Sequence, residues 1–475
     1  MKRFQNLIFF IVAIVSIGLT GCNSKTTKKE TDSNPFAFNK NSRVVFVGNS
    51  ITRAGMFHNN IFLYHVTRFP NKNIYMFNCG VSGDVTWGVL DRMEEDILVN
   101  KPTHAVIMLG MNDVGRSWYG EKPTTNTDTL KHRKDVLRVY RENMEKIVNI
   151  FLEKNIKVIL ERPTIYDQTA ILPAKNNYGV NDALGICATY VDSLAAKYNL
   201  PTVDYFGIMN KINTEMQKKD SSFTLTGQDR IHPGETGHFV MSYQFLKSEK
   251  APKYVSEIVI NSTKKSADKN TSCEVKSISK VKDGITFTVM ENSLPFPVTE
   301  NQKEGLQLVS FMNEFNVELL QIQKLSPKSK YQLKIDNEII GSFSGKQLDE
   351  GINLAEYKNT PQYKQSLKVL EVLQKLWVTE GKLRGMKFIE YLEPYKKIKN
   401  KDNFIEVEAF MDSAFTALGY TNPYYKSQLN KFLKNKPKEK EYKKECDLLI
   451  KKAYKIAQPV EHTFLIEADS TLDSL

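Results

Sequence analysis

Three polar residues of the sequence have the types and spacing that a nucleophilic enzyme needs. Ser50 lies in VVFVGNSITRAG, just after an apolar run that ends at Gly48, where a buried strand of an α/β sheet would present a ligand site. In TGQDRIHPGETG, Asp229 and His232 are three residues apart. That spacing lets the carboxylate accept the imidazole Nδ1–H and leaves Nε2 free to face a serine. The chemistry expected of this set is acyl transfer to Ser50.

A simpler interpretation of VVFVGNSITRAG needs no chemistry. Gly48 would make a turn, and Ser50 or Thr52 would cap the helix that follows. The stretch alone fits both interpretations, but the partners elsewhere in the chain favour the nucleophile. Ser50 can also fill both roles, because the amino terminus of a helix stabilises an oxyanion.

An acyl-transfer site also needs hydrogen-bond donors for the oxyanion of the transition state. The segment NCGVSGDVTWG follows a second apolar run and offers Gly80 and Gly83, where a backbone N–H can approach a ligand closely. The segment IMLGMNDVG follows a third apolar run and places Asn112 just past a glycine. The neighbouring Asp113 is expected to fix the geometry of this loop.

These segments, taken in order, resemble the four sequence blocks of the SGNH hydrolases, also called GDSL-type esterases. GNSIT resembles the first block, which implies that Ser50 is the nucleophile. GVSGDVT and GMND resemble the second and third, which implies an oxyanion hole made by Gly83 and Asn112. DRIHP resembles the last block and implies that Asp229 and His232 complete the triad.

The resemblance covers about residues 41–250, under half of the chain, and departs from the family at one position. Asn49 stands where the family usually has aspartate. Because the acid of the triad comes from the last block, we expect the chain to tolerate this change. The resemblance implies no metal and no cofactor, and the sequence offers no metal-ligand spacing.

The elements that must position these residues follow an alternating pattern within residues 41–250. Five apolar runs have the character of buried parallel strands: RVVFVG, NIYMFN, HAVIMLG, IKVILE and PTVDY. Amphipathic stretches such as RKDVLRVYRENMEKIVNIFLEKN separate them. The pattern predicts an α/β fold, a doubly wound parallel sheet with helices on both faces.

The remainder of the chain has a different character. Residues 255–353 contain short β-like runs, with a hairpin turn expected at Asp336 and Asn337, and predict a small β-sandwich. Residues 354–475 predict a Lys- and Glu-rich helical region that ends on one short β-like run, EHTFLIE.

The amino terminus has the features of an export signal. Residues 1–21 combine a basic start with a short apolar run, as in a signal peptide, and LTGC resembles a bacterial lipobox. The resemblance implies a lipid on Cys22, a tether over residues 22–40 and a place on a membrane of the bacterial cell envelope. The alternative is an ordinary signal peptide with an incidental cysteine.

Charge and cysteine content narrow the classes of partner. The chain has 475 residues and a net charge of +12, but its lysines are mixed with glutamates as on solvated helix faces. We therefore predict no nucleic-acid partner. Four further cysteines are scattered and allow three disulfide pairings, and buried free thiols are the simpler expectation.

Residues beside the four blocks are weaker candidates for substrate contact. Arg53 and Arg116 could touch a substrate, although surface salt bridges are the simpler role for both. Trp118 lies in a polar loop and could stack on a sugar ring. Trp87 has a helical context that suggests the core, and His238 is expected on a helix behind His232.

The hypothesis that joins these observations is an ester hydrolase acting on short-chain, O-acetyl esters of carbohydrate. Its substrate class rests on analogy and on the polar loops expected to rim the pocket, VGRSWYGEKPTTNTDTLKH and RPTIYDQTAILPAKNNYG. A lysophospholipase or thioesterase is the rival within the same class. A glycan-binding lipoprotein with a vestigial hydrolase domain is the rival from another class.

Overall fold

The five apolar runs predicted as strands form one parallel sheet. The computed structural model describes residues 36–469, which lie within one compact unit. The expected signal peptide 1–21, Cys22 and most of the 22–40 tether lie outside the described residues. The strands of the parallel sheet are β1 (Arg43–Gly48), β2 (Tyr75–Gly80), β3 (His104–Met108), β4 (Lys157–Arg162) and β5 (Thr202–Asp204).

The order of these strands explains where a site can form. The sheet runs β2-β1-β3-β4-β5, so the chain leaves β2 on one side of β1 and enters β3 on the other. This reversal makes a crevice at the carboxyl end of β1, which is where α/β sheets of this kind bind ligands. The doubly wound α/β fold expected from the sequence is confirmed.

Helices follow most strands of the sheet and make up most of the carboxy-terminal region. The helices of residues 36–316 are α1 (Ser50–Ala54), α2 (Met56–Arg68), α3 (Thr86–Asp91), α4 (Thr127–Glu153), α5 (Val180–Tyr198), α6 (Tyr205–Met216), α7 (Glu235–Glu249), α8 (Lys303–Leu308) and α9 (Phe311–Phe315). Those that follow are α10 (Gly345–Glu350), α11 (Pro361–Glu390), α12 (Glu393–Lys396), α13 (Phe404–Ala417), α14 (Pro423–Asn435) and α15 (Glu439–Ile456). Within residues 36–469, no helix combines the length and the apolar composition that a membrane span requires.

Two further sheets pack on a shared apolar core. Their strands are β6 (Tyr254–Asn261), β7 (Ser266–Thr271), β8 (Cys273–Val281), β9 (Gly284–Glu291), β10 (Val317–Gln323), β11 (Lys330–Ile335), β12 (Glu338–Ser344), β13 (Ile352–Asn353) and β14 (Glu461–Ala468). One sheet has the order β13-β10-β6-β7 and the other β12-β11-β14-β9-β8. Asp336 and Asn337 make the hairpin turn with φ of 51° and 69°, values that asparagine and aspartate tolerate.

The last strand belongs to the β region, although the sequence analysis grouped it with the helical region 354–475. EHTFLIE forms β14, which lies between β9 and β11 in the antiparallel sheet. Phe464 and Ile466 of this strand are fully buried in the β core. The helical region 354–456 is therefore an insertion between strands of one sheet rather than a self-contained tail.

The carboxy-terminal helices cover the exposed edge of the parallel sheet at β2. An edge strand leaves backbone groups unpaired. The Tyr454 hydroxyl of α15 bonds both the N–H and the carbonyl of Ile74, at 2.9 Å each. The Glu380 carboxylate of α11 accepts the N–H of Asn78 at 3.0 Å. The parallel sheet is thus completed by side chains from the far end of the sequence.

The cysteines of the described residues are all free thiols. They are Cys79, Cys187, Cys273 and Cys446. The first two are buried, as expected, whereas Cys273 and Cys446 are only partly buried.

Candidate active site

Ser50, His232 and Asp229 form one hydrogen-bonded row at the carboxyl edge of the sheet. The Ser50 Oγ lies 2.7 Å from the His232 Nε2. The His232 Nδ1 lies 2.5 Å from the Asp229 Oδ2. In the neutral tautomer that these contacts favour, Nδ1–H donates to the carboxylate and Nε2 accepts the serine proton. The imidazole is 47% exposed, so a substrate can reach it from solvent.

Asn49, rather than Ser50 or Thr52, caps the helix that follows β1. The Asn49 Oδ1 accepts the N–H of Ile51 at 3.1 Å. The Asn49 amide therefore supplies the capping oxygen that an aspartate would supply at the same position. Ser50 becomes the first residue of α1, where its backbone N–H has no intrahelical acceptor. Its hydroxyl is left for His232.

Asp229 holds the loop that carries His232. Its Oδ1 accepts the N–H groups of Ile231 and His232, at 3.0 Å each, while its Oδ2 bonds the imidazole. Burial raises the pKa of Asp229, but the hydrogen bonds from His232 and Ile231 outweigh burial and hold this pKa below its ordinary value. The carboxylate is therefore ionised at neutral pH, as an orienter of the imidazole must be.

Arg230 anchors this loop to the segment 167–174, a role that the sequence did not reveal. Its side chain is buried, and its guanidinium donates to the carbonyls of Asp167, Ala170, Leu172 and Ala174. Its backbone has a φ of +66°, so the chain turns sharply between Asp229 and His232. The one available signal was an arginine inside the DRIHP block.

The residues expected to form the oxyanion hole lie on two neighbouring loops. Gly83 has a φ of +80°, and its backbone N–H has no acceptor among the described residues. The Asn112 Nδ2 donates one N–H to the carbonyl of Asp84 at 2.9 Å. Arg116 donates to the Asn112 Oδ1 at 2.8 Å, which fixes the orientation of the carboxamide. The second amide N–H of Asn112 remains available to a ligand.

Asp113 joins the same two loops through their backbones. Its carboxylate accepts the N–H of Thr86 at 2.7 Å and the N–H of Gly110 at 3.0 Å. Burial raises the pKa of Asp113 to about 6, and the two N–H groups oppose that rise. The side chain does what the sequence predicted, since it ties the loop after β2 to the loop after β3.

Of the remaining candidates for substrate contact, Arg53 faces the carboxy-terminal helices, whereas Trp118 is exposed to solvent. Arg53 extends toward Gly385 of α11 in the carboxy-terminal region. One of its guanidinium nitrogens is 3.7 Å from the position that a Cβ atom would occupy if Gly385 were an alanine. Trp118 is 44% exposed and stacks on His132, with ring centroids 3.9 Å apart. Trp118 therefore offers a supported aromatic surface beside the loop of Asn112.

Two expectations for residues behind the blocks have opposite outcomes. Trp87 was expected in the core, and that expectation is wrong: it is 60% exposed at the start of α3. The face of this short helix that packs inward carries Thr86 and Val89 instead. His238 lies on α7 and is buried, as expected; burial and the nearby His58 and His232 lower its pKa to about 3.

A chain of buried ion pairs connects α11 to the loop that carries Gly83. Arg92 contacts Asp84 at 2.8 Å and Asp96 at 2.6 Å. From α11, Arg384 bonds the other oxygen of Asp96 at 2.6 Å and donates to the carbonyl of Gly80 at 3.0 Å. Burial raises the pKa of Asp96, but Arg384 and Arg92 outweigh burial and hold this pKa below its ordinary range.

This series of ion pairs ends at Asp84, which contacts the side chain of Asn112. Asp84, which binds Arg92 with its carboxylate, accepts the Asn112 amide with its carbonyl. The position of the Asn112 N–H donor therefore depends on a series of salt bridges that starts at Arg384 on α11, outside the parallel sheet. Nothing local in the sequence pairs residue 384 with residue 96.

We expect Arg384→Met to lower the free energy of unfolding by about 3–5 kcal/mol, because it leaves the buried Asp96 short of one cation. The substitution should also lower kcat, since the loop of Asp84 loses its support. Thermal unfolding and ester-hydrolysis kinetics on the same preparation measure both effects.

Lys396→Met is the matched control for this prediction. Lys396 also reaches across from the helical region, to Asp91 at 2.5 Å, but this pair is 31% and 47% exposed. An exposed pair contributes about 0–1 kcal/mol, so the control should change little. Equal effects of the two substitutions would show that the buried chain has no special role.

The fold and this geometry define a class. A serine, a histidine and an aspartate hydrogen bonded in a row at the carboxyl edge of a doubly wound parallel sheet are the arrangement of a serine hydrolase.

Comparison with known proteins gives the family. The model of the GDSL-like lipase/acylhydrolase family matches residues 46–239. The chain is similar to BT4096, a gut microbial diltiazem-metabolizing enzyme: identity is 30%, the TM-score is 0.82, and the match covers 91% of this chain and 99% of that one. An acetylxylan esterase of Geobacillus stearothermophilus is 24% identical over 183 residues, 38% of this chain and 74% of that protein. The chain belongs to the SGNH, or GDSL-like, hydrolase family and is an ester hydrolase.

Proposed function

We propose that this chain is a serine esterase that hydrolyses short-chain esters, in particular O-acetyl esters of carbohydrates. The observation that carries the proposal is the hydrogen-bonded row of Ser50, His232 and Asp229, open to solvent at the carboxyl edge of the sheet.

In this proposal His232 removes the Ser50 proton as the hydroxyl attacks the ester carbonyl, and Asp229 stabilises the imidazolium that forms. The N–H groups of Ser50 and Gly83 and the amide of Asn112 hold the oxyanion. His232 then gives its proton to the leaving alcohol, and an acyl group remains on Ser50. Water attacks the acyl-enzyme with His232 again as base, and the carboxylic acid leaves.

The surroundings of the site support a small acyl group on a polar alcohol. The segments 114–132 and 162–179 touch each other, through the N–H of Tyr178 and the carbonyl of Gly120 at 2.9 Å. They contain no long apolar run to line an acyl channel, which would supply about 0.8 kcal/mol per CH₂. Exposed Trp87 and Trp118 offer flat apolar faces of the kind that stack on sugar rings.

One of the relatives supports an acetyl ester of a carbohydrate, because it is an acetylxylan esterase.

A panel of esters tests the proposal. We expect kcat/KM to fall from p-nitrophenyl acetate to p-nitrophenyl octanoate, and acetate to be released from acetylated xylo-oligosaccharides. The Ser50→Ala variant controls for spontaneous hydrolysis. A kcat/KM that climbs from two to eight acyl carbons, with no acetate from any acetylated glycan, would favour the lysophospholipase or thioesterase alternative. Absence of labelling by a fluorophosphonate would favour a vestigial site.

We further propose that a lipid on Cys22 anchors the enzyme to a membrane of the cell envelope, on the strength of the LTGC sequence alone. We expect Cys22→Ser to leave the precursor uncleaved by the lipoprotein signal peptidase and to abolish incorporation of labelled fatty acid. Unchanged processing and unchanged membrane fractionation would contradict the anchor.

A further inference from the structure

A groove of about 280 Å³, with both polar and apolar side chains in its lining, lies where the parallel-sheet domain meets the rest of the chain. One wall comes from α2 and the start of α7, through Asn59, Glu235 and His238. The opposite wall comes from α11, through Gln374 and Trp377. The volume suits part of a ligand rather than a whole drug-sized molecule.

The floor of this groove is fixed by hydrogen bonds between the two parts of the chain. Gln302, from the turn before α8, donates to the Asn60 Oδ1 of α2 at 3.0 Å. The Gln302 Oε1 accepts the N–H of Thr299 at 3.0 Å. These bonds hold α2 against the turn before α8, and α11 packs directly on α2, so the groove is formed without a ligand.

The groove contains polar groups that the protein leaves unpaired. The Trp377 Nε1 and the His238 Nδ1 are buried atoms with no hydrogen-bond partner in the part of the chain that the structure describes. His238 is only 2% exposed. Buried donors and acceptors without partners are costly, so a ligand that pairs them gains affinity.

The groove lies close to the catalytic row. Glu235, on its wall, follows His232 by three residues, so their Cα atoms are at most roughly 11 Å apart along the chain. His238 is one helical turn further on. A molecule with its ester at Ser50 and a few linked rings can span that distance.

The chemistry of the lining selects the kind of ligand. Beside the apolar side chains of Met56, Leu63 and Leu370, the lining presents an indole, an imidazole and several carboxamides around the single carboxylate of Glu235. This combination matches a neutral molecule that carries both hydroxyl groups and apolar ring faces. The ring of Trp377 supplies an apolar face and its N–H a donor, the pair of contacts that a pyranose uses. A long acyl chain would leave these polar groups unpaired.

We propose that this groove is a distal subsite for the carbohydrate chain that carries the ester, with α11 of the helical region as its outer wall. The inference rests on the proposed function, because it assigns the alcohol side of the same reaction. It gives the helical insertion a role in choosing substrates, in addition to covering the edge of the sheet.

Two variants test the subsite with two substrates. Trp377→Phe removes the indole N–H, and Gln374→Leu removes an amide from an exposed position of α11 where folding is not at risk. We expect each to lower kcat/KM for an acetylated xylohexaose roughly 3–10-fold, mainly through KM, the effect of one lost hydrogen bond. For p-nitrophenyl acetate, which is too small to reach the groove, kcat/KM should stay unchanged.

Val378→Ala is the control, because Val378 is the next residue on α11 and is 64% exposed. It should leave both substrates unaffected. Equal losses on both substrates, or no loss on the hexaose, would overturn the subsite while leaving the esterase intact. A wild-type enzyme that fails to hydrolyse p-nitrophenyl acetate would instead overturn the proposed function.

Discussion

Ser50→Ala is expected to lower kcat for p-nitrophenyl acetate by roughly 10⁴–10⁶-fold, and His232→Ala by a similar factor. The Ser50 Oγ and the His232 Nε2 are 2.7 Å apart. At this distance the imidazole can remove the hydroxyl proton while the oxygen forms its bond to the ester carbonyl carbon. Loss of either side chain therefore removes the same step. Steady-state kinetics with a matched blank for spontaneous hydrolysis measures the effect.

The double variant gives the sharper measurement. Because the two residues act as one unit, Ser50→Ala combined with His232→Ala should be little worse than either single change. Both side chains lie at the exposed edge of the sheet, so the melting temperature should stay close to that of the wild type. Losses that multiply, in variants that melt normally, would contradict the assigned roles.

Labelling provides an independent readout of the same prediction. A fluorophosphonate should modify the wild type at Ser50 and fail to modify Ser50→Ala. His232→Ala should react much more slowly, because the hydroxyl has lost its base. Peptide mapping identifies the modified residue. A label on any other serine would show that Ser50 is not the nucleophile.

The part of the fold that contains the site could be predicted because its signals are local. The central strands of the parallel sheet, β1 and β3, are nearly continuous apolar runs, as burial on both faces demands. Ser50 follows β1 and Asn112 follows β3 within a few residues, whereas Asp229 and His232 come after α6, in the loop before α7. Parallel strands bring their carboxyl ends to one edge, so the order of the blocks was enough to place these residues together.

The contacts that could not be predicted join distant segments of the chain. The pairing of Arg384 with Asp96 spans 288 residues, and neither position has a local pattern that names the other. EHTFLIE is recognisable as a strand, but only the folded core shows that β14 fits between β9 and β11. Trp87 was misjudged because a six-residue helix shows too little periodicity to reveal its buried face.

Asn49 shows how one residue can be interpreted too narrowly. As a departure from a family pattern, it was expected only to be tolerated. In the structure its Oδ1 caps α1, a task that either an amide or a carboxylate performs. Capping by Asn49 also removes the simpler explanation for Ser50.

Asn112→Ala is expected to lower kcat roughly 10²–10³-fold with a much smaller change in KM. The Asn112 amide is held from both sides, by Arg116 on its oxygen and by the Asp84 carbonyl on one N–H. The free N–H is thus oriented before the substrate arrives. A donor held in place in this way bonds the developing oxyanion more strongly than the neutral carbonyl, so its loss falls on the transition state.

The same contacts provide a graded series for Asn112. Asn112→Asp keeps the shape of the side chain but puts a negative charge beside the oxyanion, so it should be at least as damaging as alanine. Arg116→Met keeps Asn112 but releases its oxygen, so we expect a smaller loss in kcat, because the amide can then rotate away from its productive orientation. Wild-type kcat in a folded Asn112→Ala variant would remove this residue from the oxyanion hole. In that case the N–H groups of Gly83 and Ser50 would hold the charge alone.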